Sequence, residues 1–180
     1  MTSFPGKGKV AVLKTQPDTV LDDYARVMDL AGFRQALPQD NTTALKINIS
    51  WQTWYPACSS APWQIEGVAR ALQDRGATQL LIVHADLPTV TAAEIDELVA
   101  AGRETGVALA PDRHGKGTNA LFIGLPTPFR FCFGENSFAR HRAEAAQQGL
   151  ETRAVRLPGF ELDVDEPADL SGLVRRGGPR

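Results

Sequence analysis

The sequence predicts an α/β fold, a three-layer sandwich on a mainly parallel sheet. Two observations carry that expectation. Strand-like and helix-like segments alternate along the chain, the pattern of βαβ units. The run TQLLIVHAD (78–86) is continuously apolar until its end, as strands covered on both faces are. With 180 residues, one domain with a sizeable core is expected.

The elements follow in order. KVAVLKT (9–15) reads as a strand, and TVLDDYARVMDLAGF (19–33) has apolar residues at helical spacing with Gly32 as a stop. ALKINIS (44–50) alternates like a strand. PWQIEGVARALQDRG (62–76) reads as a helix, with proline near its first turn and glycine after its last. The run 78–86 is expected at the centre of the sheet. TAAEIDELVAAGRETG (91–106) opens with Thr91 and places Glu94 three residues on, a capping box for the next helix. GVALAP (106–111) and NALFIGL (119–125) are strands joined by the glycine-rich DRHGKGTN (112–119). SFARHRAEAAQQG (137–149) reads as a helix with Ser137 as N-cap. TRAVRLP (152–158) closes the strand list, and EPADLSGLV (166–174) starts a last short helix with Pro167 near its first turn.

Composition narrows the function. Hydrophobic residues make up 43% and charged residues 22%, the balance of a soluble globular protein, and no apolar run approaches the roughly 20 residues of a membrane span. No secretion-type leader opens the sequence, so a cytoplasmic location is expected. A net charge of −2 provides no basic stripe for nucleic acid. Cys58 and Cys132 lack metal-ligand spacing, and Cys132 in FRFCFG reads as a small apolar core residue rather than a nucleophile.

Three stretches concentrate polar groups at element ends. Asp86 in HADLP stands where a strand ends, and ligands of open α/β sheets gather outside the carboxyl ends of strands. A carboxylate there suits magnesium, and starting a turn or capping the next helix explains it equally well. LDVDEP (162–167) offers Asp163 and Asp165 on one face. If that segment lies beside the end of 78–86, either could complete a two-carboxylate site; otherwise one is an N-cap and the other a solvated turn residue. In DRHGKGTN, Gly115 and Gly117 would turn backbone N–H groups toward an anion, Arg113 or Lys116 would neutralise it, and Thr118 would add a hydroxyl. Ser137 at a helix N-terminus could attract phosphate or serve only as a cap. His141, one turn on, reads as a surface histidine rather than a catalytic base. No hydrolase triad order, HExxH or usable GxGxxG is present. An anion pocket with carboxylates for a metal points to phosphoryl or nucleotidyl transfer.

Residues 78 to about 170 resemble the C-terminal half of the 2-phospho-L-lactate or phosphoenolpyruvate guanylyltransferases of coenzyme F-420 biosynthesis. The matching segments are LLIVHADLPTVTAAEIDEL, VALAPDRHGKGTNALFI, FRFCFGENSFARHRAEAAQQGL and LPGFELDVDEPADL, in the family's order. The resemblance implies a nucleotidyltransferase-like fold of the nucleotide-diphospho-sugar transferase type. It implies that Asp86 and Asp165 bind Mg2+ and act in catalysis, with Asp163 as a further or substitute ligand. It also implies that Thr118, Gly134 and Ser137 cradle a phosphorylated three-carbon acid, whose phosphate attacks the α-phosphorus of GTP and expels pyrophosphate. An anionic phosphate needs no general base.

Residues 1–76 depart from that family and form an atypical β-α-β half, set against a guanylyltransferase-like half at 77–172. The family's nucleotide-binding loop resembles PLK…AKSRL, where this chain reads AVLKTQPDTVLDDY; Lys14 is its one remnant, and a solvated lysine at a strand end explains Lys14 as well. Residues 44–72 resemble instead the opening of the domain of unknown function 362 family, some of whose members are associated with iron–sulfur proteins. Trp51, Trp54, Tyr55 and Trp63 could stack on a purine or serve as core and interface packing. The competing reading is a non-catalytic remnant that binds a partner protein through WQTWYPACSSAPW (51–63), and a homodimer is left open. A transferase using CTP or a sugar phosphate is a third reading.

Overall fold

The computed structural model describes residues 8–37, 44–48, 59–164 and 169. The expected helix at 166–174 apart from Asp169, which is helical, lies outside the described residues, as do Asp165, Cys58, Trp51, Trp54 and Tyr55.

Helices α1 (Val20–Ala31) and α2 (Phe33–Ala36) meet at Gly32, whose φ of 83° forms the left-handed stop that its position in the sequence suggests. Strand β1 (Ala44–Ile47) and helix α3 (Pro62–Gln73) follow, with proline in the helix's first turn. Next come β2 (Gln79–His84), α4 (Ala92–Thr105), β3 (Gly106–Pro111) and β4 (Thr118–Gly124). Helix α5 (Ser137–Gln147), β5 (Glu151–Ala154) and the single turn α6 (Pro158–Glu161) complete the described elements.

The five strands are ordered β1-β2-β4-β3-β5. β1 pairs parallel with β2 and β5 parallel with β3, while β4 is antiparallel to both its neighbours. Four strands therefore run one way, as a mainly parallel sheet requires, and β4 is reversed between them. The centre belongs to β4, in which six of the seven residues are buried, and not to the 78–86 run, which lies one strand away. A short loop favours an antiparallel neighbour, and the 112–117 connection folds β4 back onto β3, leaving its other edge to pair with β2.

Alternation along the strands splits the core in two. Leu80, Ile82, Leu109, Leu121 and Ile123 face α3 and α5, packing with Ile65, Leu72, Ala145 and Phe129. Leu81, Ala108, Ala110, Ala120 and Phe122 face α4, packing with Leu98, Ala101 and Phe160. Helix, sheet and helix are thus the three expected layers. α4 lies so close to the sheet that a Cβ added at Gly102 would fall 2.0 Å from Cδ1 of Phe122.

The first expected strand is not one. Residues 9–15 carry no ladder, and Val10 and Val12 are 87% and 84% exposed. Alternating apolar residues mark a strand only when a sheet edge and a covering layer receive them. The segment ends instead in a polar tie to α1, where Thr15 and Thr19 donate to Asp23 Oδ2 at 2.8 and 2.7 Å and Arg26 donates to Oδ1 at 2.6 Å.

Candidate active site

Because β2 and β4 are antiparallel, the carboxyl end of β2 and the start of β4 share one edge of the sheet. Asp86 follows the first and Thr118 begins the second. The segment 129–137 crosses the same edge, and the His84 ring packs 5.7 Å from that of Phe133, the residue before Gly134.

Asp86 is partly buried, and its Oδ1 is buried with no hydrogen-bond partner among the described residues. A carboxylate oxygen withdrawn from water without a donor is costly unless a cation or ligand meets it. Its backbone carbonyl accepts the N–H of Val164 at 3.1 Å, so the chain just after Asp163 is stitched to the end of β2. The structure thereby brings the Asp163 segment to Asp86; Asp165, next along, lies outside the described residues. An unsatisfied carboxylate oxygen fits a hard cation such as Mg2+. Among the described residues there is no cluster of three or more His, Cys, Asp or Glu side chains that would hold a metal without such outside help.

The second half of the site is tightly held. Thr118 and Ser137 are buried, at 1% and 2% exposure. Gly134 adopts φ 106°, a backbone conformation that a side chain would strain, and the Ser137 N–H donates to its carbonyl at 3.1 Å. The Phe138 N–H donates to the Lys116 carbonyl at 3.0 Å, which ties the start of α5 to the residues preceding Thr118. Thr118, Gly134 and Ser137 therefore converge. The N-cap of α5 is Asn136, in a left-handed conformation at φ 54°, and not Ser137.

The glycine-rich loop does not form the expected anion nest. The N–H groups of Lys116 and Gly117 donate to the Asp112 carboxylate at 2.8 and 2.9 Å, and that of Gly115 to the Asp112 carbonyl at 3.0 Å. The loop's own aspartate occupies the place of an outside anion. Arg113 is likewise engaged, donating to Asp169 at 2.6 Å.

His141 is fully buried, not on the surface. Its Nδ1 lies 3.0 Å from Thr118 Oγ1, and its Nε2 accepts the Cys132 N–H at 2.8 Å. Phe133 and Phe129 pack on the ring at 4.7 and 5.7 Å. Burial, reinforced by the nearby Arg140 and His84 charges, pushes its pKa down to about 3. Burial likewise pushes the Cys132 thiol up, which suits a packing residue and not a nucleophile. Asn119 is another polar residue that sequence reasoning missed; its amide donates to the Phe160 carbonyl at 2.8 Å and anchors α6 beneath the Asp163 segment.

A reversed strand within an otherwise parallel sheet, covered on both faces by helices, defines a nucleotidyltransferase-like fold. A solved structure described as a nucleotide-diphospho-sugar transferase from Desulfovibrio desulfuricans has the same fold, with a TM-score of 0.57 at 12% identity over 91% of this chain and 82% of that one. Within that class, residues 65–179 match the family model "Guanylyl transferase CofC like", and the chain belongs to that family. A phosphoenolpyruvate guanylyltransferase from Sphaerobacter thermophilus is 56% identical over 56% of this chain and 48% of its own length. Another from Rubrobacter xylanophilus is 32% identical over 96% of this chain and 75% of its own. A 2-phospho-L-lactate guanylyltransferase from Halorubrum lacusprofundi is 44% identical over 57% of this chain and 46% of its own. The chain thus spans about half the length of the Sphaerobacter and Halorubrum relatives. The Rubrobacter match nonetheless extends over nearly all of it, including most of the atypical first 76 residues.

Proposed function

We propose that the protein is a Mg2+-dependent guanylyltransferase that joins GMP from GTP to phosphoenolpyruvate or 2-phospho-L-lactate, as in coenzyme F-420 biosynthesis. The observation that carries this reading is the partnerless Oδ1 of Asp86, at a strand end to which the Asp163 segment is hydrogen-bonded. Asp86 and Asp165, with Asp163 as a further ligand, would hold the cation, which when bound neutralises charge on the triphosphate. Thr118, Ser137 and the positive-φ backbone at Gly134 would grip the acid and aim its phosphate at the α-phosphorus of GTP. Positioning is the protein's main task, because the attacking phosphate is already anionic at neutral pH. The family model is described as a guanylyl transferase, and relatives are named phosphoenolpyruvate and 2-phospho-L-lactate guanylyltransferases, which supports this choice of acids.

The test is to incubate the pure protein with GTP, Mg2+ and each acid in turn and to measure pyrophosphate. Release that depends on both the acid and Mg2+ is expected. Absence of turnover with either acid, beside an active relative, would overturn the proposal.

A further inference from the structure

The environment of His141 gives it a role beyond filling the core. A backbone N–H can only donate, so the 2.8 Å contact from Cys132 requires Nε2 of His141 to be unprotonated. In the neutral ring the proton then resides on Nδ1, 3.0 Å from Thr118 Oγ1. The Thr118 oxygen must therefore accept from His141. Its own hydroxyl hydrogen is then free of this contact, and no second side-chain partner of Thr118 occurs among the described residues.

We infer that His141 is a positioning residue, locked by the Cys132 N–H in the tautomer that donates to Thr118, so that the Thr118 hydroxyl is held ready to donate to an anionic oxygen of the acid substrate. The inference rests on the proposed reading of Thr118 as part of the acid cradle. Were the ring flipped to the other tautomer, Nδ1 would demand the hydroxyl hydrogen and the acid would lose a donor. Two phenylalanine rings and complete burial keep the imidazole neutral and in place. The helical spacing is suited to this arrangement, because Ser137 and His141 are four apart and share one face of α5.

The two nitrogens can be tested separately. In His141→Gln the side-chain oxygen reaches the Nε2 place and still accepts from Cys132, while the donor to Thr118 is lost. His141→Asn places its amide near the Nδ1 position and keeps that donor. For His141→Gln the KM for the acid is expected to rise about five- to tenfold, the worth of one hydrogen bond, with kcat and the KM for GTP unchanged. His141→Asn should restore the acid KM to within about twofold of wild type. A purely structural role would lower the melting temperature of both variants and leave the acid KM where it is. An unchanged acid KM in folded His141→Gln, with wild type active, overturns the inference alone. An inactive wild type overturns the guanylyltransferase reading, and this inference with it. Should His141→Gln fail to fold, the ring 15N shifts of His141 in the wild-type protein decide: protonated Nδ1 supports the inference and protonated Nε2 overturns it.

Discussion

Lowering the pH from 7 to 5 tests the electrostatics of the cradle through stability, independently of any substrate. His141 has a pKa near 3 in the folded protein, against an ordinary value of 6.5. Between those values the unfolded chain binds more protons than the folded one, so stability is level above pH 6.5 and falls as the pH drops toward 3. At pH 5 the loss amounts to about 2 kcal/mol, at about 1.4 kcal/mol for each pH unit below the unfolded value. Asp23, held below its ordinary value of 3.8 by the hydroxyls of Thr19 and Thr15, contributes stability that fades only at lower pH and does not intrude. The assay is urea unfolding of wild type and His141→Phe at both pH values. The phenylalanine leaves the Cys132 N–H without its acceptor, a penalty that is the same at pH 7 and pH 5 and cancels in the comparison. Wild type should lose about 2 kcal/mol more than the variant between the two conditions. Equal losses would show that the ring titrates alike in both states, and the argument for a dry, neutral imidazole would fail.

Two other perturbations follow from contacts already described. Asp86→Asn removes a charge with no partner among the described residues, so its melting temperature without Mg2+ should match or exceed that of wild type. Stabilisation by added Mg2+ should shrink and turnover fall about 100-fold; a persistent Mg2+ shift with near-normal turnover would exclude Asp86 as a ligand. Gly102→Ala drives a methyl to 2.0 Å from the buried Phe122 ring and should cost about 3 kcal/mol in urea unfolding, whereas a loss below about 1 kcal/mol would mean that α4 can lift off the sheet.

Local chemistry was readable where it is self-sufficient. The capping box is complete, with Thr91 and Glu94 each bonded to the other's backbone N–H, and α4 starts where that pair predicts. Gly106–Pro111 and Gln79–His84 fall inside the predicted strands because their length and continuous apolar character leave few alternatives. What required knowledge of remote partners was not readable. Val10 and Val12 have the spacing of a strand but no sheet edge to join. The amides of DRHGKGTN have the geometry of an anion site, and the sequence does not reveal that the loop's own first residue, Asp112, satisfies them. The position of His141 one turn into α5 does not reveal which side of that helix faces the sheet, and so does not disclose that the ring is buried. Its contact with Thr118 spans 23 residues and depends on a strand order that no local pattern encodes.

Glu94 holds two distant places at once. Its Oε2 takes the Thr91 N–H at 2.9 Å to begin α4, while its Oε1 takes the Gly159 N–H at 2.7 Å, 65 residues on. A methyl at Gly159 would sit 2.2 Å from that carboxylate and 2.7 Å from the Val90 Cα. Evolution is therefore not free to vary the beginning of α4 and the approach to the acidic segment separately. Exchanging Glu94 for a shorter acid, or Gly159 for any larger residue, calls for a compensating change at the other position, so the two should drift as a linked pair among descendants of this sequence.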